Sequence, residues 1–337
     1  MKLRLIVALP LLGLASVIPA PAAEQVPALS VIGAIPGPDG GWDYASVDAA
    51  QRRLYVAHGD AVMAVNLDTA KVEPKLVEGQ RLHAVVPLPG GRVLSTNGGN
   101  DTATLFEGDT GRVIASIPTG RKPDAAVYDP SSGLVFVMDG QDGDATLVDP
   151  KTGTSPGRIP IGGKLEFAVA DGKGNVFVNV EDKGEIAVVD AKARKVTTRY
   201  KLPDCEEPSG LAIDRKDGIL VSACSNGKAI ALKAADGSVL ATLPIGMRPD
   251  AAIFDFKRRL FFIPCGEGTL AVIGENENGP PTVTATVPTA NGARTGALDP
   301  KTGKLYLPTA DFKPPAPGEK RHQVVPGTFR ILIVGTK

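Results

Sequence analysis

Cysteine, histidine and aromatic residues are scarce in this chain: 337 residues include 3 Cys, 3 His and 1 Trp, and aromatics make up 5%. There is no Cys-x-x-Cys pair, which removes zinc-ribbon and dithiol-redox chemistry. Phosphate-binding glycine loops, paired-histidine zinc motifs and nucleophile elbows are also absent. Three scattered histidines can hold a transition metal only if folding brings them to within about 2 Å of one point. Acids and bases balance at 37 each, so the chain as a whole is not drawn to phosphate backbones, and nucleic acid is not an expected partner. No apolar run after residue 18 could span a membrane.

The first residues carry an address. Lys2 and Arg4 precede the apolar run Leu5 to Ile18, and Ala20-Pro21-Ala22 offers the small residues a signal peptidase reads. The run is shorter than the roughly 20 residues a span needs, and Pro10 interrupts it. Residues 1–22 are therefore expected to be a removed signal peptide, leaving 23–337 as one exported domain, periplasmic or secreted. Losing Lys2 and Arg4 leaves 35 bases against 37 acids.

A phrase of about 42 residues fills the remainder. Its anchors are Leu54, Val93, Val135, Val176, Ile219, Leu260 and Leu305, spaced by 39, 42, 41, 43, 41 and 45 residues. Each unit runs through small and apolar residues to an Asp-containing turn, then through two further apolar runs, and closes on an Ile-Pro-like pair. Examples of that pair are Ile117-Pro118, Ile159-Pro160 and Val287-Pro288. The runs are four to seven residues long, rich in Val, Ile, Leu, Phe and Thr, and bounded by Gly, Asp, Asn or Pro, as strands are. Four short antiparallel strands per repeat make a propeller blade. The predicted fold is all-β, a seven-bladed β-propeller. The last repeat stops after its third strand, Phe329 to Val334, and Leu29 to Ile35 has the outer-strand phrase with no unit before it. The N-terminal strand should therefore pair with the C-terminal blade and close the ring, removing free edges.

The second strands Tyr55-Val56-Ala57-His58, Leu94-Ser95-Thr96-Asn97 and Phe136-Val137-Met138-Asp139 resemble the Tyr-Val-Thr-Asn repeat of the YVTN-family (YncE-like) β-propellers. The resemblance covers nearly the whole mature chain, although every blade departs from the consensus. It implies the propeller fold and, through one branch of the group, a link to DNA. Trp42-Asp43 occurs once, ahead of an inner strand, and does not mark WD40 repeats.

In an oxidising compartment three cysteines suggest one disulfide and one remaining thiol. Cys205 precedes an inner strand of blade five and Cys224 follows the next strand, so Cys205–Cys224 is the expected bridge. Cys265 holds the repeat position of Cys224 one blade later, and a Cys224–Cys265 bridge is the alternative.

The loops entering the inner strands share one face with the loops between second and third strands. All three histidines, His58, His83 and His322, fall there, in blades one, two and seven. The residue five before each inner-strand Asp, or before Leu88 in blade two, gives a ring of Asp43, His83, Asp124, Glu166, Ser209, Asp250 and Arg294. These should form a polar collar around the channel mouth, able to hold a cation or orient a small ligand. Arg81, Arg121, Lys122, Lys164 and Arg248 lie just ahead of them and could receive an anion. Residues 311–328 replace a short turn, and long loops of this kind are functional or disordered. The expected function is a binding or scaffold module, monomeric, that takes a small anionic ligand or a periplasmic protein on this face through His58, His83, Asp43, Arg294, Asp124, Glu166, Asp250, Trp42 and His322. One alternative is a metal-assisted hydrolase or lyase, lactonase-like, with a divalent cation at the mouth and His83 as base. Another is single-stranded DNA binding, for which Trp42 is the prominent aromatic.

Overall fold

The computed structural model describes residues 28–276, 279–314 and 323–336. The expected signal peptide and His322 lie outside them. Turn chemistry sets the pitch of the repeat. Asp48, Asp129, Asp171, Asp214, Asp255 and Asp299 end or directly follow six inner strands, and each carboxylate accepts backbone N–H groups two or three residues on, at 2.7 to 3.2 Å. Such a side chain closes the turn that the backbone alone would leave open. Blade two has Leu88 instead, and there Gly90 and Gly91 make the turn at φ of 80° and 77°.

The strands assemble into seven four-stranded antiparallel sheets. Blade one shows the pattern: Ala45–Asp48 pairs with Arg53–His58, then Ala61–Asn66, then Val72–Glu78. The only helical element among the described residues is a single turn, Glu181–Lys183. No helix there is long and apolar enough to cross a membrane.

Ring closure follows the expected route. Leu29–Pro36 pairs antiparallel with Arg330–Thr336 as the outermost strand of blade seven, whose inner members are Leu305–Thr309 and Ala297–Leu298. The observed third strand begins one residue later and ends two residues later than Phe329 to Val334. The 311–328 insertion starts and finishes as a small hairpin, Phe312–Lys313 with Gln323–Val324.

The core lies between the blades. Second and third strands are buried on both faces, as in Leu134–Asp139, and seven apolar clusters fill the seven seams. Each fully buried Leu, Val or Phe side chain contributes about 1.5–3 kcal/mol by leaving water. Outer strands such as Thr154–Pro160 are mostly exposed, and the Ile of the closing pair, Ile159, is the residue that turns inward. That explains why the Ile-Pro pair recurs.

Cys205 and Cys224 form the disulfide, with Cα atoms 5.3 Å apart. Cys265 is free and buried, so the Cys224–Cys265 alternative is excluded. In the chain-entropy treatment a loop of this length contributes about 3 kcal/mol.

Candidate functional site

Each loop entering a blade lays a side chain on the channel rim. Two residues ahead of the rim position the backbone turns left-handed, with φ of 50° at Arg81, 52° at Lys122, 47° at Glu207 and 57° at Arg248. The conformation costs about 1–2 kcal/mol for an L residue. Hydrogen bonds offset it: the carbonyls of Arg81, Lys122 and Arg248 accept the N–H groups of Gly98, Gly140 and Gly266. Gly98 has no substitute there, because a Cβ would come within 2.7 Å of the His83 ring.

Adjacent loops are tied together. The Tyr44 N–H donates to the His83 carbonyl at 3.0 Å, and the Ala251 N–H to the Arg294 carbonyl at 3.1 Å. Thr96 Oγ1 donates to the Asp124 carbonyl, Asn179 Nδ2 to that of Ser209, Ser209 Oγ to that of Pro249, and Thr295 Oγ1 to that of Asp43, all at 2.7 to 2.9 Å. The rim backbone is thus held before any ligand arrives, which lowers the ordering cost of binding.

On this frame the collar side chains converge in three groups. His83 Nδ1 lies 2.7 Å from Asp43 Oδ2 and 3.8 Å from Asp124 Oδ1. Arg294 Nε lies 3.1 Å from Asp250 Oδ2. Lys164 Nζ lies 3.3 Å from Glu166 and also contacts Glu181, which brings the two carboxyl groups together on one ammonium.

Crowding acids at a poorly solvated rim raises their proton affinity. Burial pushes Glu166 up to about 9, helped by the neighbouring Glu181 carboxyl and the charge of Asp124. Burial and the charge of Asp43 push Asp124 up to about 6. Asp43 and Asp250 are raised by burial in the same way, against the opposing pull of His83 and Arg294 respectively. Burial alone would lower His83, but its bond to Asp43 and the charges of Asp124 and Asp43 outweigh that and leave it raised.

Beneath the collar, Tyr44 of blade one meets Phe167 of blade four edge to face, with ring centroids 5.0 Å apart. This aromatic pair crosses the channel. Burial and then the collar charges, Asp250 foremost, push the Tyr44 phenol well above its ordinary value.

Two expected ligand residues take other roles. His58 is 7% exposed, packs edge to face on Phe329 at 4.7 Å, and has the Pro38 carbonyl as an acceptor beside its ring. Burial lowers its pKa. Trp42 packs on Phe329 and Phe312 at 5.3 and 6.2 Å. Both support the root of the insertion instead of joining the collar, because the second strand of blade one carries His58 into the seam with blade seven. Among the basic loop residues only Lys164 reaches the collar; Arg121 pairs outward with Asp142, and Arg248 bonds Gly266 and Asn291. Reading the rim one residue per blade missed Glu181, which arrives from the far end of a second strand, and the Tyr44–Phe167 plug.

Asp43, His83 and Asp124 present ligand atoms all within 4.8 Å of one another, a spacing that suits one metal ion. Asp214, Asp217 and Glu275 do the same on the opposite face, but Arg259 contacts all three there and supplies their positive charge.

No protein-family model and no curated protein sequence matches the chain. Solved structures do match. A chain of the structure described as "Crystal Structure of Mitotic Checkpoint Complex" aligns over 89% of this chain and 96% of its own, at 14% identity and a TM-score of 0.74. One from "Structure of U3-55K" aligns over 89% and 97%, at 8% identity and 0.75. One from "Kuenenia stuttgartiensis Hydrazine Synthase" aligns over 81% and 92%, at 14% identity and 0.69. At such identities the likeness concerns architecture alone, and with the strand order above it establishes that the chain is a seven-bladed β-propeller.

Proposed function

We propose that the chain is an exported propeller of the YVTN type, matured to 23–337, which works as a binding module and takes a divalent cation at its channel mouth. One observation carries the choice of ligand charge. Asp43, Asp124, Glu166, Glu181 and Asp250 converge on a collar whose positive partners are Lys164, Arg294 and His83. With Glu166 protonated, Asp43, Asp124, Glu181 and Asp250 still outnumber Lys164, Arg294 and His83, and their oxygens suit a cation better than the small anion expected from the basic loops. Asp43, His83 and Asp124 would hold the ion, a mixed nitrogen and oxygen set that suits a first-row divalent metal. The Cys205–Cys224 disulfide supports an oxidising compartment.

Calorimetric titration of chelator-treated protein with Mn²⁺, Zn²⁺ and Ca²⁺ tests this. One-site binding that is lost in Asp43→Asn and Asp124→Asn is the expected result. No binding, or binding unchanged in both variants, would show that the collar serves another ligand.

A metal-assisted hydrolase or lyase, in which Asp43, Asp124, Glu166 and Asp250 would hold the ion and His83 would be left free as base, is favoured by one feature, the Asp43–His83 hydrogen bond that orients the imidazole. Turnover of a lactone panel by the metal-loaded protein, abolished in His83→Gln, would establish it. Single-stranded DNA has less support, since the Trp42 ring is engaged with Phe312 and Phe329.

A further inference from the structure

The channel has a second end. Below the Tyr44–Phe167 plug the inner strands line two overlapping cavities of about 490 Å³ each, which share Ser46, Phe167, Ala252, Phe254 and Phe256. We infer that this vestibule is a separate binding site for an amphipathic anion, a molecule with an apolar body and one acidic head.

The apolar half of the inference comes from the repeat. The residue after each inner-strand Asp is Ala49, Pro130, Gly172, Arg215, Phe256 and Pro300 in blades one and three to seven. A turn of this kind asks only for a small residue or proline, yet Phe256 places a full aromatic ring there, 65% exposed. Holding that ring in water gains nothing for the fold. Beside it, Phe254 and Phe167 continue the surface inward, and Val127 and Tyr128 cover the side toward blade three. An exposed apolar surface that runs on into a cavity of this volume has the form of a small-molecule site.

The charged half comes from the same turn position. Arg215 lines the vestibule, anchored through Nε to the Ala170 carbonyl at 2.8 Å. Lys257 bonds the Pro300 carbonyl, with its ammonium 6.0 Å from the centroid of the Phe256 ring. Among the described residues neither has a carboxylate partner, whereas Arg258 and Arg259 next to them are both ion-paired. The nearby turn aspartates Asp214 and Asp255 already accept backbone N–H groups. Arg215 is the only charged side chain among the residues that line the two cavities, and a guanidinium at the edge of an apolar cavity favours a carboxylate or phosphate head.

The test titrates the intact protein with dodecanoate, dodecanol and dodecyltrimethylammonium. Dodecanoate should bind at least tenfold more tightly than either of the others. Arg215→Gln should remove the preference for the acid over the alcohol, and Phe256→Ser should weaken both several-fold. Both substitutions are at surface turns, and unchanged circular dichroism and unfolding midpoints confirm that they leave the fold intact. Asp43→Asn at the collar should leave dodecanoate binding unaltered, so failure of the cation site and failure of this site give different results. Equal binding of the cationic amphiphile, no binding of dodecanoate, or capture of anionic vesicles without binding of free dodecanoate would each overturn the inference.

Discussion

Tyr44 and Phe167 belong to blades one and four, yet their rings touch across the channel at 5.0 Å. The contact divides the central passage into an acidic upper mouth and an apolar lower one. It also joins inner strands that share no hydrogen bond.

Removing half of that contact should be felt globally. Phe167→Ala is expected to lower unfolding free energy by about 3 kcal/mol, the ordinary cost of deleting a packed phenyl ring. Urea unfolding measures it, and a loss below about 1 kcal/mol would mean that the plug is not part of the core.

The metal-free protein should become less stable as pH rises from about 5 to 9. Burial raises the folded-state affinity for protons at Asp124 to about 6, at Asp139 and Glu275 to about 7, and at Glu166 to about 9. The folded state then holds protons that the unfolded chain has released, so stability is lost as pH climbs through these values. His83, also raised, acts in the same direction. A bound cation favours the deprotonated carboxylates, so its stabilisation should grow over the same range. Thermal melts at pH 5, 7 and 9, with chelator and with metal, check both slopes; a chelated protein most stable at pH 9 would contradict the collar electrostatics.

Reduction should separate the three cysteines. Breaking Cys205–Cys224, or replacing both residues with Ala, is expected to cost about 3 kcal/mol. Burial pushes the Cys265 thiol up to about 11, so it should resist iodoacetamide at pH 8 until the chain unfolds. Mass spectrometry of alkylated native protein reads this, and rapid native labelling would show that the seam around Cys265 opens.

Arg52→Ala should be among the more damaging surface changes. Its guanidinium meets the fully buried Asp299 at 2.8 Å, joining blades one and seven, where the ring closes. Leaving that carboxylate alone costs about 3 kcal/mol or more. Burial alone would raise Asp299, but Arg52 and the turn hydrogen bonds hold it below its usual range, so this contribution fades only as pH falls through the acidic region. An equilibrium unfolding midpoint matching that of the parent protein would refute the assignment.

Legibility divided along the period of the repeat. Asp129, Ile159 and the seven anchors recur because each blade solves the same turn and the same burial problem, so position in the sequence already states their role. The collar positions Asp43, His83, Asp124, Glu166, Asp250 and Arg294 were found by the same indexing, since each enters its blade at one register. Glu181 was not, because it closes on Glu166 from a different strand end. His58 was misplaced for a related reason: it shares a face with the collar, but its side chain turns into the seam against Phe329.

By itself the sequence determined the number of blades, the closure by the N-terminal strand and the cysteine pair favoured for the bridge. Periodicity and turn residues are local, and they survive in one dimension. Tertiary structure decided which charges share a mouth, that Tyr44 and Phe167 meet across the channel, and that carboxylates converge on the collar while apolar side chains and Arg215 line the other end. Those properties depend on side-chain directions and on distances between blades far apart in the chain, which no spacing along the chain encodes.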